Sequence, residues 1–491
     1  MYYPNKEEFV KLSEKGNVIP VYREILADFD TPLSAFLKID EGDYSYLLES
    51  VEGGEHMGRY SFLGSDPAFM IQSKGKKITV IDNGEKKEYT TQEDPITEIK
   101  TIMEKFQFVP IEGLPRFCGG LVGYFGYDIV RFIEELPDEN PEDFDVPDMQ
   151  FVLTDTILIF DHVDHKIKVV SNAFIDGSPS SVYETAVKKI DVIIGKLKGI
   201  SNMPEQEDKS VKEYKTESNF TEKEFCENVE KAKEYIRAGE AIQLVISQRL
   251  ERRTDVDAFS IYRALRSINP SPYMFYLKFG DFKVIGSSPE ILVRCENDVV
   301  EVRPIAGTRK RGIDEAEDRS LEKELLDDPK EKAEHVMLVD LGRNDIGRVC
   351  EYSTVKVKEL MMIEKYSHVM HIVSDVVGKL GKEKDVYDLI RATFPAGTVT
   401  GAPKVRAMEL IDELENTRRG LYAGSVGYIS FSGNMDLCIT IRTILMKDDI
   451  AHIQAGAGIV LDSVPENEYQ ETLNKAKAMI KAIEFAEKRL K

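Results

Sequence analysis

Tryptophan is absent from this chain of 491 residues, and histidine and cysteine are scarce, with seven and five copies. The cysteines are odd in number, widely spaced and free of any C-x-x-C pair, which indicates neither a disulfide framework nor a zinc site. We expect most of them to be small core residues. They are Cys118, Cys226, Cys295, Cys350 and Cys438.

Long hydrophobic runs are missing as well. Lys6, Glu7, Glu8 and Lys11 interrupt the apolar residues at the start of the sequence, and no uncharged stretch is long enough to span a bilayer. The 87 acidic residues outnumber the 65 basic ones, which leaves a net charge of -22 and no basic stripe for a polyanion. We therefore expect a cytoplasmic protein that binds neither membranes nor nucleic acid.

The length is sufficient for two or three domains, and the composition changes near the middle of the chain. Around residues 200–222 the sequence is polar and charged, as is typical of a solvated linker. We predict an amino-terminal unit, residues 1–205, and a second unit, residues 219–491. Thr221 and Glu224 have capping-box spacing, and the apolar residues after them recur at helical intervals, so the second unit should open with an amphipathic helix.

Runs typical of strands occur in both units and are not evenly interleaved with helices. This pattern predicts an α+β fold of layered, mostly antiparallel sheets covered by helices, rather than a doubly wound parallel sheet. The runs include KKITVID and FVLTDTILIF in the first unit, and IQLVISQRL, MFYLKFG, DFKVIGS, VGYISF and CITIRTILM in the second.

Two Glu-x-x-Glu pairs lie far apart in the chain, Glu331 with Glu334 and Glu468 with Glu471. Both segments are typical of helices, and a spacing of three places both carboxylates of a pair on one helical face. Two such helices facing each other would gather the oxygen ligands that Mg²⁺ prefers. Two solvated acidic faces would produce the same pattern. The apolar HVMLVDL beside Glu334 and the position of Lys475 one turn beyond Glu471 favour the metal site.

Glycine-rich segments could bring backbone N–H groups close to an anion. We predict turns at PAGTVTGAPK (395–404), LYAGSVGYIS (421–430) and IQAGAGIV (453–460), although the last could simply connect two strands. Arg442 and Lys475 add donors suited to small carboxylates, Arg442 through its planar guanidinium.

His371 lies in the apolar run VMHIVS, where a histidine is more often a buried core residue than a catalyst. No G-x-S-x-G motif occurs, and Cys118 has no histidine or aspartate near it in sequence, so a covalent nucleophile is not indicated.

Several long motifs resemble the chorismate-utilising enzymes, and they follow that family's order. The resemblance is dense over residues 219–484 and implies a large layered α+β domain with the amino-terminal unit packed on it. The motifs are PIAGTRKRG (304–312), AEHVMLVDLGRND (333–345), VMHIVS (369–374), PAGTVTGAPK, TIRTI and IQAGAGIVLDSVPENEYQET.

By this resemblance, Glu334 and Glu471 match residues that hold Mg²⁺ against the ring carboxylate of chorismate, with Glu331 and Glu468 supporting them. Glu290 matches the general acid that protonates the departing C4 hydroxyl, a role that requires a carboxyl group still protonated near neutral pH. His371 matches a histidine linked to the later loss of pyruvate. The predicted substrate-contacting residues are Gln243, Thr398, Tyr422, Arg442, Gly456, Ala457, Gly458 and Lys475.

Two positions separate the reactions within the family. Aminodeoxychorismate synthases carry a nucleophilic lysine where this chain has Ala306. Isochorismate and salicylate synthases carry a lysine base in the segment equivalent to AIQLVISQR, where Gln243 cannot take a proton from water. The resemblance therefore implies conversion of chorismate and ammonia to anthranilate and pyruvate, the first step of tryptophan biosynthesis. Those synthases remain alternatives, as does a non-catalytic amino-acid sensor, against which the retained acidic and basic residues argue.

No G-x-C-x-G-x-Q glutaminase motif occurs, so the resemblance implies a separate glutamine amidotransferase subunit that supplies the ammonia, and hence a hetero-oligomer. LLES (47–50), GRYSFLG (58–64) and NPSPYMF (269–275) resemble segments that form a tryptophan-binding regulatory site. Ordinary core packing is the alternative for their apolar residues. The predicted regulatory residues are Glu49, Ser50, Pro272, Tyr273 and Met274.

Overall fold

The computed structural model describes residues 1–51, 58–143, 145–199, 214–366 and 369–489. Most of the predicted linker, residues 200–213, lies outside the described residues. The helices are α1 (Lys6–Leu12), α2 (Pro32–Ile39), α3 (Pro95–Met103), α4 (Pro179–Leu197), α5 (Glu222–Arg237), α6 (Ala258–Ile268), α7 (Glu315–Asp327), α8 (Pro329–Gly347), α9 (Val386–Thr393), α10 (Lys404–Leu414) and α11 (Pro465–Arg489), with 3-10 helices at Tyr127–Phe132 and Gly397–Val399.

The strands before the linker are β1 (Val18–Leu26), β2 (Tyr44–Glu49), β3 (Tyr60–Ser65), β4 (Phe69–Lys74), β5 (Lys77–Asp82), β6 (Glu85–Thr90), β7 (Gly120–Phe125), β8 (Met149–Thr154), β9 (Thr156–Asp161) and β10 (Lys166–Phe174). Those after it are β11 (Thr216–Ser218), β12 (Gln243–Arg253), β13 (Tyr273–Phe279), β14 (Phe282–Ser288), β15 (Ile291–Glu296), β16 (Val299–Val302), β17 (Ile305–Lys310), β18 (Lys356–Lys365), β19 (Val369–Lys379), β20 (Gly401–Ala402), β21 (Ser425–Ser430), β22 (Met435–Ile439), β23 (Thr443–Lys447) and β24 (Ile450–Ile459).

These strands form two sheets of twelve, and their pairing is antiparallel. The order in the first sheet is β1-β10-β9-β3-β2-β13-β14-β23-β24-β12-β11, with β20 beside β12. The order in the second is β17-β19-β16-β15-β22-β21-β7-β8-β4-β5-β6, with β18 beside β19. The predicted α+β architecture of layered antiparallel sheets is therefore confirmed.

Each sheet contains strands from both sides of residues 205–219. In the first sheet β2 pairs with β13, and in the second β7 pairs with β21. Hydrogen bonds in both sheets thus join residues 1–205 to residues 219–491. The division of the chain into two units stays a prediction.

Alternate side chains of the strands face two different hydrophobic layers. On β13, Phe275 and Leu277 point into the space between the sheets, whereas Met274 and Tyr276 pack with helices on the outer face. A strand buried on both faces has no polar alternation, which explains the continuous apolar run in its sequence. The molecule is a four-layer stack, with α1, α2, α4, α5, α6, α10 and α11 on the first sheet and α3, α8 and α9 on the second.

The run CITIRTILM, predicted as one strand, divides into β22 and β23, which lie in different sheets. Arg442, in the crossing between them, has a φ of 51°. The left-handed region is uncommon for a residue other than glycine, so the chain turns sharply at this point. The prediction of one continuous strand was wrong because an apolar run does not reveal where the chain leaves one sheet for another.

All five cysteines are free, and three of them are buried, as expected of core residues. Within the described residues, no helix combines the length and apolar character that a membrane span requires.

Candidate active site

Helices α8 and α11 bring the two predicted Glu-x-x-Glu pairs to one site. Glu334 lies on α8, and its carboxylate accepts a hydrogen bond of 3.2 Å from the Gln243 amide on β12. Burial is the largest cause of the raised pKa of Glu334, and the negative charge of Glu471 on α11 raises this pKa further. The two carboxylates are thus close enough to repel each other, although they are more than 130 positions apart in sequence.

The other two predicted glutamates have protein partners. Glu331 lies 3.3 Å from the Arg309 guanidinium, which also binds Asp328 at 3.1 Å. The pKa of Glu468 is raised, chiefly by burial and also by the charge of Glu471, while a hydrogen bond with Ser463 lowers it. Glu331 and Glu468 are therefore partly satisfied by the protein itself.

Among the described residues, no group of three or more histidine, cysteine, aspartate or glutamate side chains is gathered as a ready-made metal cage. Glu334 and Glu471 instead form a pair of mutually repelling carboxylates. Mg²⁺ typically takes one or two carboxylates, together with waters and an anionic substrate, so the donor set fits this ion.

Arg442 supplies a buried positive charge opposite this acidic pair. Burial lowers the pKa of Arg442, and the charges of Tyr422 and Glu471 counter that effect. No carboxylate of the described residues forms a salt bridge with its guanidinium, which still carries five donors. A buried guanidinium without a protein counter-ion is suited to a carboxylate of a ligand.

Tyr422 lies against the backbone of β24 at Gly456. A Cβ atom on Gly456 would lie 2.7 Å from the Tyr422 hydroxyl oxygen and 3.0 Å from the carbonyl oxygen of Ile246, so glycine is required for this contact. Burial raises the pKa of Tyr422 to about 12, which keeps the hydroxyl neutral. From α11, Lys475 donates to the Gly456 carbonyl at 2.8 Å and pairs with Glu471 at 2.7 Å.

The segment IQAGAGIV is part of a strand, so its prediction as a glycine-rich turn was wrong. Gly456, Ala457 and Gly458 lie on β24 opposite Ser247, Ile246 and Val245 of β12. Their N–H groups therefore belong mainly to a sheet ladder. At Gly458 a Cβ atom would lie 2.6 Å from the Gln243 amide nitrogen, so this glycine leaves room for the side chain that binds Glu334.

Glu290 lies between β14 and β15, where its backbone is held by Ser288 and by Ile439 of the neighbouring strand. Burial raises the pKa of Glu290 to about 7, while contacts with Thr398 and Lys475 work in the opposite direction. Glu290 and Thr398 line a small cavity of about 50 Å³ together with Gly397. The carboxyl group is thus able to hold a proton near neutral pH.

His371, on β19, points its Nδ1 towards the Gly307 carbonyl oxygen at 2.9 Å. Because a carbonyl only accepts hydrogen bonds, Nδ1 carries the proton, and Nε2 of the neutral ring is the basic nitrogen. The pKa of His371 is lowered, first by burial and then by the charge of Arg442. His371 and Arg442 are therefore neighbours in the site.

The five predicted regulatory residues line a separate cavity of about 650 Å³, called here the second cavity. The Glu49 carboxylate is buried and accepts hydrogen bonds from Tyr262 at 2.6 Å and from Arg266 at 3.0 Å. The wall also includes the aromatic rings of Phe62 and Tyr428. Its volume is in the range of small-molecule binding sites.

Sequence reasoning did not identify several residues that shape these sites. Arg309 binds Glu331 and lies in the motif PIAGTRKRG. A charged residue within a family motif could have indicated that Arg309 belongs to the site. Arg116, Arg294 and Asp436 form a charged cluster in the second cavity. The Asp436 carboxylate accepts from Arg116 at 3.2 Å and from Arg294 at 3.0 Å. Nothing in their local sequence indicates that residues so far apart meet.

Residues 43–481 match the family described as chorismate binding enzyme. The chain is 51% identical to anthranilate synthase component 1 of Acetivibrio thermocellus, with 99% of each chain covered. It is 54% identical to the component 1 of Aquifex aeolicus, with 98% of each covered.

Solved structures show the same similarity. The anthranilate synthase component I from Streptococcus pneumoniae superposes with a TM-score of 0.78 at 38% identity, covering 93% of this chain and 98% of that one. The menaquinone-specific isochorismate synthase from Escherichia coli, at 20% identity and a TM-score of 0.71, shares the fold. The chain therefore belongs to the chorismate-binding enzyme family, in the group of the anthranilate synthase component 1 proteins.

Proposed function

We propose that this chain is the large subunit of an anthranilate synthase, which converts chorismate and ammonia to anthranilate, pyruvate and water in the first step of tryptophan biosynthesis. The observation that carries the proposal is the buried Arg442 guanidinium, which forms no salt bridge with any carboxylate of the described residues and lies near Glu471, itself close to Glu334. A dicarboxylate fits between these charges, one carboxylate on the arginine and the other on a cation held by the glutamates.

Glu290 and His371 are the side chains that carry the proton transfers at C4 and C2. Ammonia adds at C2 while the C4 hydroxyl leaves as water, with its proton supplied by Glu290, whose pKa of about 7 keeps the acid form available. The ammonium formed at C2 returns a proton to the Glu290 carboxylate. Nε2 of His371 then removes the C2 proton as the C3–O bond to the enolpyruvyl group breaks. The released enolpyruvate takes up that proton at its methylene carbon to become pyruvate. The ring becomes aromatic in this second step.

Mg²⁺ is the proposed cofactor, held by Glu334 and Glu471 with Glu331 and Glu468 in support. When bound, it would supply positive charge that fixes the ring carboxylate of chorismate. Removal of the metal with a chelator should abolish activity, and added Mg²⁺ should restore it. Activity that is unchanged in excess chelator would contradict the assignment.

Ammonia would come from a glutamine amidotransferase subunit in a hetero-oligomer. The relatives are named component 1, which implies a second component. The isolated chain should therefore use ammonium salts but not glutamine.

We further propose that the second cavity binds tryptophan as a feedback inhibitor, through Glu49, Ser50, Pro272, Tyr273 and Met274. Because the chain has no tryptophan, the fluorescence of the added ligand can be followed without protein background. The Ser50→Phe variant should lose both this binding and the inhibition by micromolar tryptophan. Normal binding in Ser50→Phe would count against this cavity.

The test of the reaction uses the purified chain with chorismate, Mg²⁺ and an ammonium salt. Fluorescent anthranilate and an equal amount of pyruvate are expected, with products identified by mass. Isochorismate or aminodeoxychorismate as the product would overturn the proposal in favour of the two alternatives that Ala306 and Gln243 disfavour.

A further inference from the structure

Arg419 and Glu415 form an ion pair that is almost completely buried, with 2% and 4% of their side chains exposed. The Arg419 guanidinium donates to the Glu415 carboxylate twice, at 2.9 Å and 2.6 Å. Neither residue contributes to the reaction proposed above. A buried pair of charges carries a large desolvation penalty, so its presence beside the active site calls for an explanation.

The remaining donors of Arg419 bind two separate chain segments. One nitrogen donates to the Val399 carbonyl at 2.7 Å, and another to the Val245 carbonyl at 2.7 Å. The guanidinium also lies over the ring of Tyr422, 5.4 Å from its centroid, and over that of Tyr127 at 5.0 Å. One side chain thus contacts three separate parts of the fold.

Glu415 contacts β12 at a second point, Ser247, and reaches β24 through that residue. Its carboxylate accepts from the backbone N–H and the hydroxyl of Ser247, at 2.8 Å and 2.7 Å. The same hydroxyl accepts from the Gln454 amide at 2.8 Å, and Ser247 is the direct partner of Gly456 across the sheet. The ion pair therefore reaches β24 two residues from the glycine that contacts Tyr422.

Apart from the 3-10 helix that carries Tyr127, each segment that the pair holds carries a residue of the proposed active site. Val399 follows Thr398, and Val245 lies two residues after Gln243 on β12. Tyr422 and Gly456 complete the set. All four are among the predicted substrate-contacting residues.

We propose that Arg419 and Glu415 are positioning residues, which hold the substrate-binding segments in register and never touch the substrate. This inference rests on the proposed chorismate reaction. The planar guanidinium suits the role because it presents several donors in fixed directions, whereas a lysine offers one flexible charge. A displacement of about 1 Å in such a site can cost about 100-fold in rate.

The decisive variant is Glu415→Met with Arg419→Met, which removes both charges together and leaves no unpaired one. Arg252 of β12 and Glu487 of α11 provide a matched control. They pair at 2.8 Å, and 9% and 8% of their side chains are exposed. Replacement of that pair by methionines removes a similarly buried ion pair whose partners are not part of the site.

We expect both double variants to unfold in one cooperative transition and to keep the near-ultraviolet circular dichroism of the wild type. The Glu415→Met, Arg419→Met variant should lose about 100-fold in kcat/KM, mainly through a higher KM for chorismate. Its kcat should also show a displaced pH dependence, because Thr398 contacts Glu290. The control pair should change kcat/KM less than threefold. A folded variant with kcat/KM within threefold of wild type would reduce the pair to a structural role.

Two further variants keep the test decisive if the double variant does not fold. Arg419→Lys retains the charge but cannot make all the bonds, so it should keep most of the stability and still show a raised KM. Ser247→Ala removes the two hydrogen bonds of the hydroxyl, to Glu415 and from Gln454, and should raise KM several-fold. Wild-type KM in both would overturn the inference. If the wild type itself consumes no chorismate, the proposed function fails first, which is a distinct outcome.

Discussion

At the scale of single residues, the environment of Glu290 assigns its chemistry. The ordinary pKa of a glutamate is 4.5, and burial raises that of Glu290 to about 7. The folded protein therefore favours the protonated carboxyl over the whole range between these values. A group kept protonated by burial is destabilising once it must ionise, so the same feature affects catalysis and stability.

The Glu290→Gln variant separates these two effects. Loss of the acid should lower kcat by about 100-fold or more, with little change in KM for chorismate. The wild-type kcat should fall as pH rises through 7. The folded pKa exceeds the unfolded one, so wild-type stability is lost between pH 4.5 and 7, and the glutamine variant should have the higher Tm at pH 8. A lower Tm there would contradict the buried-acid interpretation.

Gly456 gives a second prediction at this scale. The Gly456→Ala variant should lose about 100-fold in kcat/KM, because its Cβ would displace the Tyr422 hydroxyl. Adding Tyr422→Phe removes that oxygen, so the double variant should be more active than Gly456→Ala alone. Steady-state kinetics of the three variants measure this coupling. Strictly additive losses would exclude the contact as the cause. At Gly458 the new Cβ would meet only the end of the Gln243 side chain, and the loss should be smaller.

At the scale of elements, the sequence predicted local features well. The amphipathic helix after the linker is α5, and its capping box forms as expected: Thr221 accepts from the Glu224 N–H at 3.3 Å, and Glu224 from the Thr221 N–H at 2.8 Å. Both Glu-x-x-Glu pairs lie on helices, α8 and α11. Caps and helical periodicity depend on residues within one or two turns, so they can be read locally.

The Thr221→Ala variant tests this cap. It should lower the free energy of unfolding by about 1 kcal/mol, because the first turn of α5 loses a hydrogen-bond acceptor. Urea denaturation measures the change, and kcat/KM should stay at the wild-type value since, among the described residues, the Thr221 side chain bonds only to Glu224 of the same turn. Glu224→Gln, which retains an acceptor, should cost less. An equal cost in both variants would show that the loss comes from the charge of Glu224 and not from the cap geometry.

At the scale of the whole molecule, the two segments on either side of the linker share both sheets. Removal of residues 1–205 would expose β13 where β2 now pairs, and β21 where β7 now pairs. It would also open the layer between the sheets, to which Tyr46 and Phe275 contribute from opposite segments. Exposed strand edges and apolar surface favour aggregation.

A fragment of residues 219–491 should therefore not fold alone. We expect it to lack near-ultraviolet circular dichroism and to aggregate, whereas co-expression with residues 1–205 should restore a soluble complex. The intact chain should unfold in a single transition. A stable fragment that binds chorismate would instead support the predicted division into two independent units.

The sequence by itself determined the antiparallel α+β class, the cap of α5 and the two acidic helices, since motifs and periodicity are local. Only the tertiary structure decided that CITIRTILM crosses between sheets at Arg442, that IQAGAGIV is a strand, and that Arg419 meets Val245 and Val399. Contacts of this kind depend on the pairing of distant strands. The sequence adjacent to each of these side chains does not indicate which distant residue it contacts.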